Sequence, residues 1–413
     1  VTTAVPHAAL IVVAYGHAAQ LPATLGALQQ LAYPADRRVI VVVENGDGSS
    51  AAVARAYAGV QVIEPGRNLG FAGGCNLAVA QTPCEIVALI NPDVQPQPAF
   101  LQQLVAPLAD AAVGVVGAKL LYPDGQTIQH AGGYLQMPLL LAQHYGYSEI
   151  DHGQYDTPRE VEFVTGAALA VRRATWDALG GLDQGFDPAY YEDADFCWRA
   201  RERGLSVRYQ PTAVAIHQEA AALGKSSSSY HRLYHRHRLR LLFKQYADDR
   251  LLNTWLPAEL THLRTTADDN EIAGLLAAYL HWQSVFLHGV AAPDSLRTAS
   301  PASTLSELEW TLQQISAKRT IMPLPFRSRW PLVATLRAWW NRIATETYLR
   351  PLIQQQNDYN AALVELAQAL ARQRRTTDAA IVCQGMLLAK MLRAENKEQQ
   401  NKEQQNKEQQ NKA

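Results

Sequence analysis

The sequence predicts an α/β fold with a mostly parallel sheet and helices on both faces, followed by a mainly α-helical C-terminal region. Three observations carry this expectation. Short apolar runs alternate with helix-periodic segments through the first half of the chain, the pattern of strands joined by crossover helices. The run at 86–90 stops abruptly at Asn91-Pro92-Asp93, and a carboxylate at the C-terminal end of a strand lies where open α/β sheets bind ligands. Past Tyr246 strand patterns vanish while helical periodicity continues.

In chain order, 8–14 reads as a buried strand, 21–31 as a helix, 39–43 as a strand, 51–58 as a helix and 60–63 as a strand. A helix over 72–80, a strand over 86–90 and a helix over 100–108 continue the alternation, and 113–116 reads as a further strand. Tyr122-Pro123-Asp124-Gly125 is a turn signal, and 126–162, rich in Gly, His, Tyr and Gln without clear period, reads as loops and short strands that shape a pocket. Order returns with a strand at 167–171, helices at 174–179 and 193–203, and two short strands at 207–209 and 214–217. Beyond 246, helical stretches cover 257–287, 304–318 and 331 onward, with linkers at 291–303 and 319–329. Thr304 and Glu307 have capping-box spacing. The chain ends in three copies of Asn-Lys-Glu-Gln-Gln from Asn396, a neutral polar tract that cannot bury a core. The expected domains are 1–246, 247–395 and a tail at 396–413.

With 413 residues, two parts are expected. Lys plus Arg (37) balances Asp plus Glu (38), which argues against a dedicated nucleic-acid binder. Cys75, Cys84, Cys197 and Cys383 lack zinc-type spacing and read as core filler in a reducing compartment. No run approaches the roughly 18 apolar residues of a membrane span, and the first residues lack signal-peptide order. A cytoplasmic location is expected.

Tyr190-Tyr191-Glu192-Asp193-Ala194-Asp195-Phe196-Cys197-Trp198-Arg199 crowds three carboxylates beside two aromatic rings. Such crowding is costly unless the charges are paired, metal-bound or used in proton transfer. Each signal also has a structural reading. Asp93 alone suits a helix cap or turn, and the acidic run alone suits the first turn of a helix. Gly70, Gly73 and Gly74 suit a tight turn, and His217 a hydrogen-bonded strand end.

Several ordered motifs combine with these. Ile11-Val12-Val13-Ala14-Tyr15 and Val41-Val42-Val43-Glu44-Asn45-Gly46 are followed by Asn68-Leu69-Gly70-Phe71-Ala72-Gly73-Gly74-Cys75-Asn76 and Asn91-Pro92-Asp93. Then come Thr165-Gly166-Ala167, Gly180-Gly181-Leu182-Asp183, Glu192-Asp193 and His217. Residues 8–246 thereby resemble the family 2 glycosyltransferases of the GT-A fold, particularly bacterial rhamnosyl- and galactofuranosyltransferase-like members. Glu44 stands where the family more often has Asp, and Asn91 leaves its Asp-x-Asp metal motif with one carboxylate.

The resemblance implies a nucleoside-diphosphate sugar donor bound by Tyr15, Glu44, Asn45, Asn68, Gly70, Phe71, Gly73, Asn76, Asn91, Asp93 and Gly166. It implies Mn2+ or Mg2+ held by Asp93 and His217. Asp193 matches the general base, with Glu192 and Asp195 as catalytic neighbours that orient the acceptor, raise the base's pKa or pair with Arg199 and Arg201. The implied reaction is inverting transfer to a saccharide or lipid-linked acceptor in cell-surface polysaccharide or glycolipid synthesis.

The basic stretch 230–240 with Lys244 reads either as the solvated face of an amphipathic helix or as a phosphate clamp or membrane-surface contact. The segment 224–229 before it reads as a lid. Trp330, Trp339 and Trp340 among arginines suggest an interfacial helix at the inner face of the membrane or ordinary helix docking, and the C-terminal helices offer an oligomer contact. A dehydrogenase fits poorly, because Gly70, Gly73 and Gly74 have the wrong spacing for a dinucleotide fingerprint. A sugar nucleotidyltransferase and a non-catalytic sugar- or nucleotide-binding scaffold of the same fold stay open as alternatives.

Overall fold

The computed structural model describes residues 5–218 and 227–288, and part of a helical stretch between 354 and 401 that is continuous over 375–391. The chain divides into two compact units, Val1–Glu259 and Leu260–Ala413.

The strands of the first unit are β1 (Ala8–Ala14), β2 (Arg38–Glu44), β3 (Val60–Ile63), β4 (Ile86–Ile90), β5 (Val94–Pro96) and β6 (Val113–Leu121). They continue with β7 (Ile128–His130), β8 (Gly133–Gln136), β9 (Leu141–His144), β10 (Arg159–Glu160), β11 (Ala168–Arg172) and β12 (Ser206–His217). The main sheet runs β10-β12-β6-β11-β4-β1-β2-β3, with β5 on β12 and β7 on β6. Strands β3, β2, β1 and β4 are mutually parallel, as are β6 and β12. Strand β11 lies antiparallel between β4 and β6. Every residue of β1, β4 and β6 is buried, as continuous apolar strands covered on both faces require.

The helices are α1 (Leu21–Gln29), α2 (Ser49–Arg55), α3 (Gly70–Gln81), α4 (Phe100–Val105), α5 (Arg173–Leu179), α6 (Glu192–Glu202) and α7 (Ser228–Gln245). One core joins α1 and α4 to the sheet through Leu21, Leu25, Leu28, Phe100, Leu101 and Leu104. The expected α/β alternation is therefore present. Two details differ. Helix α3 begins at Gly70, two residues before the expected 72, and a Cβ on Gly74 would come within 2.8 Å of Val13 Cγ1, so glycine permits α3 to press on the sheet. The two short strands expected near 207 and 214 are one strand, with a register shift between Gln210 and Val214.

The boundary between units falls beyond the expected 246. Arg238 of α7 and Glu259, both without solvent exposure, form a bidentate ion pair inside the first unit. Only a carboxylate in this place compensates a guanidinium buried so completely. In the second unit, the Asp268 side chain accepts the N–H of Asn270 and caps the helix Asp269–Leu287. Ala379, Val382, Cys383, Met386, Leu387 and Ala389 form a buried stripe at helical spacing. The expected segments 291–303, 304–318, 319–329 and the Trp- and Arg-rich region lie outside the described residues, as does nearly all of the terminal repeat. All four cysteines are free thiols.

Candidate active site

The acidic motif opens α6. Tyr190 (φ 78°) and Tyr191 (φ 70°) both occupy the left-handed region, costly for residues with a Cβ and kept only where surroundings dictate it. The Tyr191 hydroxyl donates to Leu140 O (2.8 Å) and accepts the Ala142 N–H (3.1 Å), and its ring meets Tyr234 edge to face at 5.1 Å. This reversal delivers Glu192, Asp193 and Asp195 to the first turn of the helix, where its dipole favours negative charge.

The three carboxyls have different surroundings. Asp193 is partly exposed. Its Oδ2 accepts the Gly166 N–H (2.8 Å) and its Oδ1 the Ala194 N–H (2.7 Å). Burial raises its pKa while these donors oppose the rise. Glu192 is buried, its Oε2 has no hydrogen-bond partner, and burial followed by the charge of Asp193 drives its pKa well above the carboxylic range. The surroundings of the pair thus differ: burial favours the neutral form of Glu192, while two N–H donors favour the charged form of Asp193. Asp195, with no exposure, is paired with Arg199 Nε (2.8 Å) and Lys244 Nζ (2.5 Å). Arg201 instead donates to Glu162 O.

Asp93 and His217, expected to share a cation, are brought together. Strand β5 pairs with the end of β12, with Val94 opposite His217, and Asp93 Oδ1 lies 3.2 Å from His217 Nε2. The Thr24 hydroxyl donates to Pro92 O at 2.8 Å and fixes the turn that carries Asp93. His217 Nδ1 is 2.6 Å from Gln129 Oε1. A carboxylate oxygen and an imidazole nitrogen on one spot, with the other ring nitrogen held by an amide oxygen, suit a divalent cation. Among the described residues no group of three or more His, Cys, Asp or Glu forms a complete cage.

The segment 165–167 connects the two halves. Gly166 holds Asp193, while Ala167 O accepts the Asn91 N–H at 2.9 Å. His130 Nε2, buried and kept neutral by burial and by His144 and His217, makes a long 3.4 Å contact to the Thr165 N–H. A Cβ on Gly166 would come 3.1 Å from Phe71 and 3.6 Å from Asp193 Cβ, so Phe71 borders the same spot. The sequence reading passed over Gln129 and His130. Their only signal was two polar residues inside a stretch short of apolar period.

The expected donor residues divide into lining and scaffold. Glu44 accepts the N–H groups of Gly46 (2.7 Å) and Ala51 (2.8 Å), so both carboxylate oxygens organise the loop after β2. Asn45 bridges Asn68, Leu69 and Gly70. Asn76 uses its amide on the N–H and C=O of Leu182. Facing open space are Tyr15, 59% exposed, and a cavity of about 400 Å³ lined by Arg67, Asn68, Leu69, Gly70, Gln184, Asp187 and Pro188. Gly73 borders Gln184. Gly70 has φ +69°, and a Cβ there would strike Asp187 Oδ1 at 2.2 Å. That oxygen is buried without a partner, and burial, then the charge of Asp183, pushes the Asp187 carboxyl up to about 6. Arg67 and Asp187 carry no motif that sequence reading could single out.

The basic helix α7 is largely committed inward. Arg240 and Lys244 pair with Asp183 at 3.0 and 2.9 Å, and His237 Nδ1 lies 2.7 Å from Ala189 O. These contacts hold the 183–191 segment in place, so the clamp reading does not apply to these three side chains. Of the expected lid, 224–229, residues 224–226 lie outside the described residues, Ser227 caps α7 by accepting the Tyr230 N–H, and Ser228 and Ser229 open that helix.

The profile described as glycosyltransferase like family 2 matches residues 6–236. The chain is a family 2 glycosyltransferase. As a member of that family it resembles the protein y4gI of Sinorhizobium fredii, 36% identical over 40% of this chain and 19% of that one. It also resembles the pre-mycofactocin glycosyltransferase of Mycobacterium tuberculosis, 28% identical over 45% of this chain and 38% of the other. The matched region thus spans well under half of these two relatives. The N-acetylglucosaminyl-diphospho-decaprenol L-rhamnosyltransferase of the same organism is 26% identical over 51% of this glycosyltransferase and 76% of its own length. Among solved structures, a mannosyltransferase of Pyrobaculum calidifontis in complex with GDP-Man and Mn2+ aligns over 88% of both chains at 18% identity, with a TM-score of 0.44. Among the described residues of this glycosyltransferase no helix is long and apolar enough to cross a membrane.

Proposed function

We propose that the chain moves a sugar from a nucleoside-diphosphate donor to a hydroxyl of a saccharide or lipid-linked acceptor, with inversion at the anomeric carbon and with Mn2+ or Mg2+ as cofactor. The process it serves is cell-surface polysaccharide or glycolipid assembly at the cytoplasmic side of the membrane. The observation that carries this reading is the unequal pair at the start of α6, a partly exposed Asp193 held by two N–H donors beside a buried Glu192 whose Oε2 has no partner.

Asp193 takes the proton of the acceptor hydroxyl as that oxygen attacks, a contribution of about 10²–10⁴-fold. The Gly166 and Ala194 N–H groups orient the carboxylate, and burial raises its basicity above that of an exposed Asp. In this reading neither neighbour serves as a nucleophile, since Glu192 is buried and Asp195 is held by Arg199 and Lys244. A single displacement, and hence inversion, follows. Asp93 and His217 would hold the cation, which when bound offsets the charge that grows on the leaving diphosphate. The mixed carboxylate and imidazole donors favour Mn2+ over Mg2+. Arg67, Gln184 and Asp187 give the cavity beside Gly70 the hydrogen-bonding groups that a sugar nucleotide requires. The rhamnosyltransferase relative, whose name specifies a lipid diphosphate, supports a lipid-linked acceptor.

The test is release of nucleoside diphosphate from a panel of nucleotide sugars, with and without chelator, followed by assignment of the product's anomeric configuration by NMR. Metal-dependent turnover with inversion is expected. Retention of configuration, or undiminished turnover after complete chelation, would refute the reading.

A further inference from the structure

Strand β7 is three residues long and entirely buried, yet its second position is an amide. Ile128 and His130 pair with Leu121 and Leu120 of β6 across a register irregularity. Such an irregularity leaves one residue outside the regular ladder and re-aims its side chain. Gln129 is that residue, 5% exposed, with its Oε1 2.6 Å from His217 Nδ1. A buried amide oxygen is costly without a donor, and an amide oxygen can only accept. The hydrogen in this contact therefore belongs to the imidazole. With Nδ1 turned to Gln129, Nε2 is the nitrogen left to face Asp93 Oδ1, 3.2 Å away.

We infer that Gln129 is a positioning residue that fixes the tautomer and ring orientation of His217, so that Nε2 is the nitrogen offered beside Asp93. The inference rests on the reading of Asp93 and His217 as the cation site. Without the Gln129 oxygen, Nδ1 loses its fixed acceptor and the ring is free to protonate Nε2, which turns a donor N–H toward Asp93 and closes the position to a cation.

The experiment compares wild type, Gln129→Leu, Gln129→Glu and His217→Ala. Long-range ¹H–¹⁵N correlation spectra of the metal-free chain report the His217 tautomer, and titration with Mn2+ alone, followed by electron paramagnetic resonance, reports affinity. Wild type and Gln129→Glu, which keeps an acceptor oxygen, should show the Nδ1–H form. Gln129→Leu should lose it and bind Mn2+ about 10–100-fold more weakly. A wild-type His217 without a proton on Nδ1 would overturn the inference, and this spectrum decides even if Gln129→Leu fails to fold. So would wild-type Mn2+ affinity in folded Gln129→Leu while His217→Ala has lost binding, which leaves the cation site intact and removes only the role of Gln129. Unchanged affinity in His217→Ala would overturn the cation site and this inference together.

Discussion

Glu192 and Asp193 are neighbours in sequence with opposite hydrogen-bonding environments: Asp193 accepts N–H groups on both carboxylate oxygens, whereas Glu192 Oε2 is buried with no donor. Replacing Asp193 with Asn keeps the shape and removes the proposed proton acceptor. The expected result is a fall in kcat of at least about 10²-fold with donor affinity nearly unchanged. Steady-state kinetics and calorimetry with the donor nucleotide separate the two, and near-normal kcat would move the base elsewhere.

Asp93→Ala and His217→Ala should each weaken Mn2+-dependent nucleotide binding, because each removes one of the two proposed protein ligands, which meet at the same point. Isothermal titration with nucleoside diphosphate, with and without Mn2+, measures the difference. In each variant the metal-dependent part of the affinity should shrink while the metal-independent part persists.

Asp187 gives a pH-dependent prediction. Burial, then Asp183, raises its carboxyl from the ordinary 3.8 to about 6, so the folded state holds this proton more tightly than the unfolded chain. Stability is therefore lost as pH rises through that window. Solvent screening limits the effect to about 1 kcal/mol or less. Asp187→Asn should raise Tm by about 2 °C near pH 7.5 and leave it unchanged near pH 3. An equal gain at both values would assign the effect to packing instead of charge.

Glu259→Gln leaves the unexposed Arg238 guanidinium without its counter-charge and should cost about 3–5 kcal/mol in urea unfolding. Arg238→Met combined with Glu259→Leu should recover most of the loss, since an apolar pair of similar volume avoids the desolvation cost. A chain ending at 248, which lacks Glu259, should be less stable than one ending at 265.

The sheet was legible because strands such as Ile86–Ile90 are apolar at every position, and a fully buried strand allows little else. Asp93, His217 and Asp193 were singled out as candidates because ordered motifs surround them. Their partners were not. Gln129 meets His217 only through an irregular pairing of β7 with β6, and Asp187 faces its cavity only because Gly70 lacks a Cβ. Both relationships are long-range and leave no periodic trace. Glu44, Asn45 and Asn76 carry the opposite lesson, since the motifs that suggest ligand contact place their polar atoms on backbone groups. Likewise, the end of strand patterning near Tyr246 does not mark the end of the first unit, because one buried carboxylate farther along completes α7.

Strand β11 sits between β4 and β6 yet follows both in the chain, and this fixes an order of events during synthesis. Once Leu121 has emerged from the ribosome, β4 and β6 both exist, and each presents an apolar edge that the other cannot satisfy. Residues 168–172 have yet to be made. For that interval the nascent chain leaves open the edges of β4 and β6 that β11 will pair, and the β6 edge that β12 will pair, all of the kind that recruit foreign strands. Fragments released by premature termination between 122 and 167 should therefore be the aggregation-prone products of this gene, and translation speed across that window should govern the yield of soluble protein.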